Sequence, residues 1–125
     1  MSKTAIVIFS DPKAGSEEAL GRLFNALFLT YDLKDRGEEV ALLFQGAGTR
    51  WASEVSKTEH PAHAMFSAVK DKIVGVCGGC ADVFGAAEDV AATGLPVGRE
   101  LQIPGVGGII SLGNYLAHGY QLVTF

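Results

Sequence analysis

Three apolar runs set the fold class of this chain. Ala5-Ile6-Val7-Ile8-Phe9, Glu39-Val40-Ala41-Leu42-Leu43-Phe44 and Ile73-Val74-Gly75-Val76 lack the polar–apolar alternation of a strand with one wet face. The first two end on turn formers, Ser10-Asp11-Pro12 and Gln45-Gly46-Ala47-Gly48. Short continuous runs of this kind suit strands buried on both faces, as in a parallel sheet. Between the first two lies a helical pattern. Ser16 opens it, and Glu17 and Glu18 occupy a first turn where negative charge is favourable. Leu20, Leu23, Phe24, Leu27, Phe28 and Tyr31 recur at helical spacing, and Gly37 marks the stop.

The rest of the chain continues the alternation. Residues 49–56 form a short helix carrying Trp51 and Val55, His60-Pro61 breaks it, and residues 62–72 form another. A helix starts within residues 78–82, and residues 86–94 form a further short helix ending at Gly94-Leu95-Pro96. Residues 100–103 read as a short fourth strand, 107–118 as a helix, and 120–125 as a last strand. The expectation is one α/β domain over residues 1–125, with a mainly parallel five-stranded sheet between helical layers on both faces. In such sheets reactive groups collect at the C-terminal strand ends. Asp11, Gln45 and the chain's only two cysteines fall at that edge.

Composition narrows the function classes. With 125 residues, 48% of them hydrophobic, the chain supplies one sizeable core. Only 19% of residues are charged, less than a small soluble monomer prefers, so a homo-oligomer is expected. The formal charge of -4 and the lack of a basic run argue against nucleic acid or an anionic membrane as partner. No run of eighteen apolar residues marks a membrane span. Met1-Ser2-Lys3-Thr4 leads straight into a strand and lacks the shape of a signal peptide, which predicts a cytoplasmic protein. Thiols there stay reduced unless they are working.

Cys77-Gly78-Gly79-Cys80 follows the third apolar run and opens a helix. A thiol at a positive helix end ionises more easily, and the thiolate is the reactive form. Cys77 is expected at or just before the helix cap and Cys80 in the first turn, with both sulfurs facing one opening and Cys77 the more reactive. The glycines between them permit a sharp turn and close approach to a ligand. The alternative is that both cysteines are small core fillers.

Other constellations are weaker. Zinc needs about four ligands, and one Cys-x-x-Cys supplies two. His60 and His63 add an incomplete pair, and His118 is the third histidine, so no metal or other cofactor is expected. Gly46-Ala47-Gly48-Thr49 and Gly105-Val106-Gly107-Gly108 match neither phosphate-loop nor dinucleotide fingerprints and read as tight turns for close packing. Asp11 reads as a turn former and Asp82 as a first-turn helix residue. Trp51, Phe66, Phe84 and Tyr115 belong to the core or to an interface between copies.

On these residues the chain resembles the DsrE/DsrF-like family, with its TusD-like and YchN-like sulfur-relay members. Ile6-Val7-Ile8-Phe9-Ser10-Asp11-Pro12 before a long amphipathic helix, Val76-Cys77 before small residues, and Pro104-Gly105-Val106-Gly107 ahead of Gln121-Leu122-Val123-Thr124-Phe125 carry the likeness in order. The resemblance implies a cytoplasmic α/β sandwich assembled as a trimer or hexamer. It also implies a persulfide on Cys77, passed between donor and acceptor proteins, with possible sulfurtransferase activity. Cys80 departs from the simple pattern and is an auxiliary or resolving thiol. Two other functions stay open: a thiol-disulfide redox protein or sensor using Cys77 and Cys80, and a non-enzymatic oligomeric binding module.

Overall fold

The structure, a computed structural model, describes residues 2–125; Met1 lies outside them. Its centre is a five-stranded, wholly parallel sheet in the order β4-β3-β2-β1-β7. The strands are β1 (Lys3–Ile8), β2 (Glu39–Phe44), β3 (Ile73–Cys77), β4 (Val97–Gly98) and β7 (Gln121–Thr124). Two further short strands, β5 (Leu101–Ile103) and β6 (Gly107–Ile109), pair antiparallel in a ribbon separate from that sheet.

One sheet face carries most of the core. Helices α1 (Glu17–Asp35), α2 (Trp51–Ser56), α3 (His63–Val69) and α5 (Ala87–Thr93) cover Ile6, Ile8, Leu42, Phe44 and Val76. Helix α1 is capped by Ser16, whose side chain accepts from the Ala19 N–H at 3.1 Å. It buries Ala19, Leu23, Ala26, Leu27 and Thr30, one helical face. The opposite sheet face is smaller. Ala5, Val7, Leu43 and Cys77 are covered there by Ile110, with Ile109, Leu112 and Tyr115 packed alongside. This cover comes from the β5–β6 ribbon and helix α6 (Leu112–Ala117). Strands β1 to β4 step one way across the sheet, and β7 returns to the far side of β1, so the last connection crosses the other face. The three-layer expectation is met, with unequal layers.

A bulge in β3 decides which face receives the cysteine. Leu42 pairs with Ile73 and Leu43 with Gly75, leaving Val74 as an extra, exposed residue. Ile73 and Val76 both enter the larger core although three positions apart, which strict alternation forbids. After the bulge Gly75 and Cys77 face the thinner layer; a Cβ on Gly75 would meet Ile110 Cδ1 at 3.1 Å.

Two expectations are corrected. The fourth sheet strand is Val97–Gly98, paired with Val76 and Cys77, whereas residues 101–103 form one arm of the ribbon. The helix expected over 107–118 shrinks to Leu112–Ala117, because Gly107–Ile109 is the other arm. Gly105 (φ 78) and Gly107 (φ 108) turn the ribbon, and Ser111 starts α6 by accepting from the Asn114 N–H. The apolar Ile109 and Ile110 serve the sheet cover and not a helix face. Trp51 and Phe66 are core, Phe84 is exposed, and Tyr115 meets Tyr120 edge-on at 5.1 Å.

The glycine loop after β2 is a close-packing device, as the sequence predicts. A Cβ on Gly48 would lie 2.1 Å from the Ile8 carbonyl oxygen. Gly21, within α1, has open space around it. Urea denaturation should therefore give opposite signs: Gly48→Ala destabilises by about 1–3 kcal/mol, and Gly21→Ala stabilises by about 0.5–1 kcal/mol.

Candidate functional site

Strands β1, β2 and β3 end side by side, and each delivers a polar group to the same edge. Ile8 pairs with Phe44, and Phe44 with Val76, so Gln45 and Cys77 leave adjacent strands at nearly the same level. Cys77 then caps α4 (Gly78–Val83), its Sγ accepting from the Cys80 N–H at 3.4 Å. The expected cap and first-turn positions are therefore observed. Cys80 sits with its S–H between two acceptors, Cys77 Sγ and Gln45 Oε1, the latter at 3.3 Å. Gln45 is almost wholly buried, and this is its one side-chain bond to the site.

The two thiols are driven apart in acidity. Cys77 is pulled down to about 6, chiefly by the Cys80 side chain donating to it. Burial opposes this, and the backbone N–H groups of Ile110 and Cys80 add to it. Cys80 is pushed strongly upward, first by its hydrogen bond to Cys77 and then by burial. One negative charge is thus held on Cys77 and one proton on Cys80. Helix α4 has only six residues, so these individual donors outweigh any summed helix dipole.

Both cysteines are free, but their exposure differs. Cys77 is fully buried, and Cys80 is partly exposed. The two sulfurs therefore do not share an opening. Neither Gly78 nor Gly79 has a positive φ; both belong to the first turn of α4. What approaches them closely is the chain itself. A Cβ on Gly78 would meet Arg99 Cγ at 2.5 Å, and one on Gly79 would meet the Gly108 carbonyl oxygen at 2.8 Å.

Several neighbours escape a reading of the sequence. Arg99 grips Asp82 through Nη1–Oδ2 at 2.9 Å and Nη2–Oδ1 at 3.3 Å, holding that carboxyl below its usual range. Asp82 is thus more than a first-turn residue. Asp11 is the expected turn former, accepting from the Lys13 N–H at 2.9 Å, and it also pairs with Arg50 at 2.9 Å. Arg50 in turn donates to the Phe84 carbonyl oxygen at the end of α4. These pairs join residues 17 to 39 positions apart, and no local motif announces them.

The histidines make local bonds. His60 Nδ1 accepts from the Ala62 N–H, His63 Nδ1 bonds to the Val55 carbonyl, and His118 Nδ1 to that of Asn114. Among the described residues no group of three or more His, Cys, Asp or Glu side chains is arranged to hold a metal. A cavity of about 430 Å³ lies between the β1 and β2 loops and α2, lined by Lys13, Ser16, Arg50, Trp51, His60 and Asp89; neither cysteine lines it. No helix among the described residues is long and apolar enough to cross a membrane.

A parallel α/β sheet with an acidic thiol at the end of its third strand defines the class. The chain belongs to the DsrE/DsrF-like family, whose model matches residues 3–125. It is 31% identical over 101 residues to the uncharacterized protein MJ0733 of Methanocaldococcus jannaschii, covering 81% of this chain and 78% of that one. Its fold is similar to that of the conserved protein of unknown function BT1422 from Bacteroides thetaiotaomicron. That likeness has a TM-score of 0.61 at 17% identity and covers 97% of this chain and 94% of the other.

A pH titration of thiolate absorbance should show one thiol ionising near about 6, against about 8.5 for an ordinary cysteine. The second should stay protonated well into the alkaline range. Cys80→Ala removes the main donor and should move the Cys77 transition upward.

Proposed function

We propose that this protein carries sulfane sulfur on Cys77 between a donor protein and an acceptor protein. The observation that carries this reading is the placement of Cys77 at the end of β3 and the cap of α4, where its sulfur accepts from the Cys80 N–H at 3.4 Å, an arrangement that lowers its pKa. In the first step Cys77 Sγ attacks the outer sulfur of a donor persulfide. The donor S–S bond breaks, the donor leaves as a thiolate, and Cys77 holds the persulfide. In the second step an acceptor thiolate attacks that outer sulfur and Cys77 departs as thiolate. The N–H groups that stabilise the thiolate are suited to the charged persulfide and to the leaving group alike. Membership of the DsrE/DsrF-like family supports the same chemistry. We further propose that the working form is a cytoplasmic homo-oligomer, a trimer or hexamer, consistent with the exposed Phe9, Phe28, Val83, Phe84 and Leu116.

A second reading rests on Cys80. Its thiol can attack the inner sulfur of a Cys77 persulfide. A Cys77–Cys80 disulfide forms, the persulfide bond breaks, and the outer sulfur leaves as sulfide with the Cys80 proton. This converts a carrier into a thiol-disulfide device, and the position of the Cys80 side chain, close enough to hydrogen-bond the Cys77 sulfur, favours it.

Mass spectrometry after incubation with a persulfide donor tests both. One added sulfur on Cys77, lost in Cys77→Ser and retained in Cys80→Ser, is the expected result for carriage. Sulfide release with an internal disulfide, abolished in Cys80→Ser, marks the second reading. No added sulfur on Cys77 where a control carrier loads overturns the proposal.

A further inference from the structure

Cys77 is an acidic thiol with no exposed surface. Much of its cover is one continuous segment, residues 99–110, with Leu112 and Tyr115 of α6 packed beside it. Ile110 packs against Cys77 together with Ala5, Val7 and Leu43, and Ile109 lies alongside. Gly79 sits under the Gly108 carbonyl oxygen and Ile109 Cγ2, each 2.8 Å from where its Cβ would be. A Cβ on Gly98 would reach Ile110 Cγ1 at 2.3 Å, and one on Gly108 would reach the Arg99 carbonyl oxygen at 2.6 Å. These three glycines remove side-chain volume where this segment meets β4 and the cysteine turn.

The segment is weakly tied to what it covers. Its β5–β6 ribbon has its own two-stranded ladder and does not pair with the main sheet. An isolated two-stranded ribbon is marginally stable, and segments of this kind open at a fraction of the cost of global unfolding. Leu101 and Val106 on it are exposed. One ion pair fastens it to the helix that bears Cys80: Arg99 to Asp82, both about half exposed. Glu100 closes its base by accepting from the Ser111 N–H at 3.1 Å.

We propose that residues 99–110 form a strap that closes over Cys77 and lifts to admit reagents or partner thiols, with the Arg99–Asp82 ion pair as its latch. Shut, the strap shields the thiolate and supplies the Ile110 N–H to it. Lifted, it withdraws that donor as it exposes the sulfur, leaving a more basic and more nucleophilic thiolate. Storage and reactivity thus belong to two positions of one segment. The inference holds whether the reagent delivers sulfur or forms a disulfide.

The test is the rate of Cys77 alkylation by iodoacetamide in reduced protein, read by peptide mass spectrometry, with hydrogen exchange measured in parallel. Cys77 in the native chain should react much more slowly than in the urea-unfolded chain at the same pH. Arg99→Ala should raise the native rate by about two- to fivefold, the range expected for an exposed ion pair. The charge swap Asp82→Arg with Arg99→Asp should restore it. Gly79→Ala, which wedges the strap without touching a charge, should raise the rate at least as much. Hydrogen exchange should quicken over residues 99–110 and stay unchanged in β1 and α1. Three outcomes overturn the proposal: a native rate equal to the unfolded rate, no change in either single variant, or loss of protection in β1 and α1 together with the strap. Alkylation transfers no sulfur, so its result is separate from that of the persulfide-loading experiment.

Discussion

A parallel sheet has to be covered on both faces, and this chain has long helix for only one. Four helices and most large apolar side chains cover one side, with α1 alone supplying five buried positions. The other side has a six-residue helix and a ribbon turned by glycines. Small residues on that face, Ala5 and Gly75 among them, let thin cover come close. The thiol pair lies under this thinner layer, where little structure has to move to reach it. The same sheet with thick cover on both sides would bury Cys77 as an inert core residue.

The charge distribution within the site follows from a short chain of donors. Gln45 fixes one side of Cys80, Cys77 lies on the other, and the Cys80 backbone N–H reaches back to Cys77. A single proton shared by two sulfurs and an amide oxygen gives one acidic and one very weak thiol. That asymmetry does not need a metal, a histidine base or a long helix dipole. It also separates the roles of the pair: the buried member holds charge, and the accessible member holds the proton.

Much of this was legible in the sequence because it is local. Apolar runs marked β1, β2 and β3, Ser16 marked the start of α1, and the cysteine spacing placed one thiol at a cap and the other one turn on. Residues 97–110 are not legible in the sequence for a physical reason. Ile109 and Ile110 have the polarity of a helix face, and only the tertiary position of the ribbon assigns them to the sheet cover. The two-residue β4 is too short to carry a period. Arg99 with Asp82, and Arg50 with Asp11, are long-range pairs that no spacing rule detects. The glycines between the cysteines suggest room for a ligand; they make room for the Arg99 side chain and the Gly108 carbonyl of the chain itself.

The bulge at Val74 imposes a parity on this strand. Residues after it are out of phase with those before it, so the count from Ile73 to the strand-end thiol sets the side of the sheet on which the sulfur emerges. Straightening β3 at its present length would restore strict alternation from Ile73 and turn the residue at position 77 into the four-helix layer, among Phe44, Ala81 and Val90. Deleting Val74 alone would also restore alternation but keep Cys77 on the ribbon side, because Gly75 and Val76 already pair in phase with Leu43 and Phe44. A relative of this fold with an unbulged third strand therefore needs its cysteine one position earlier or later to face the same layer. Two chains whose cysteines align in sequence can thus differ in which side of the sheet the thiol serves.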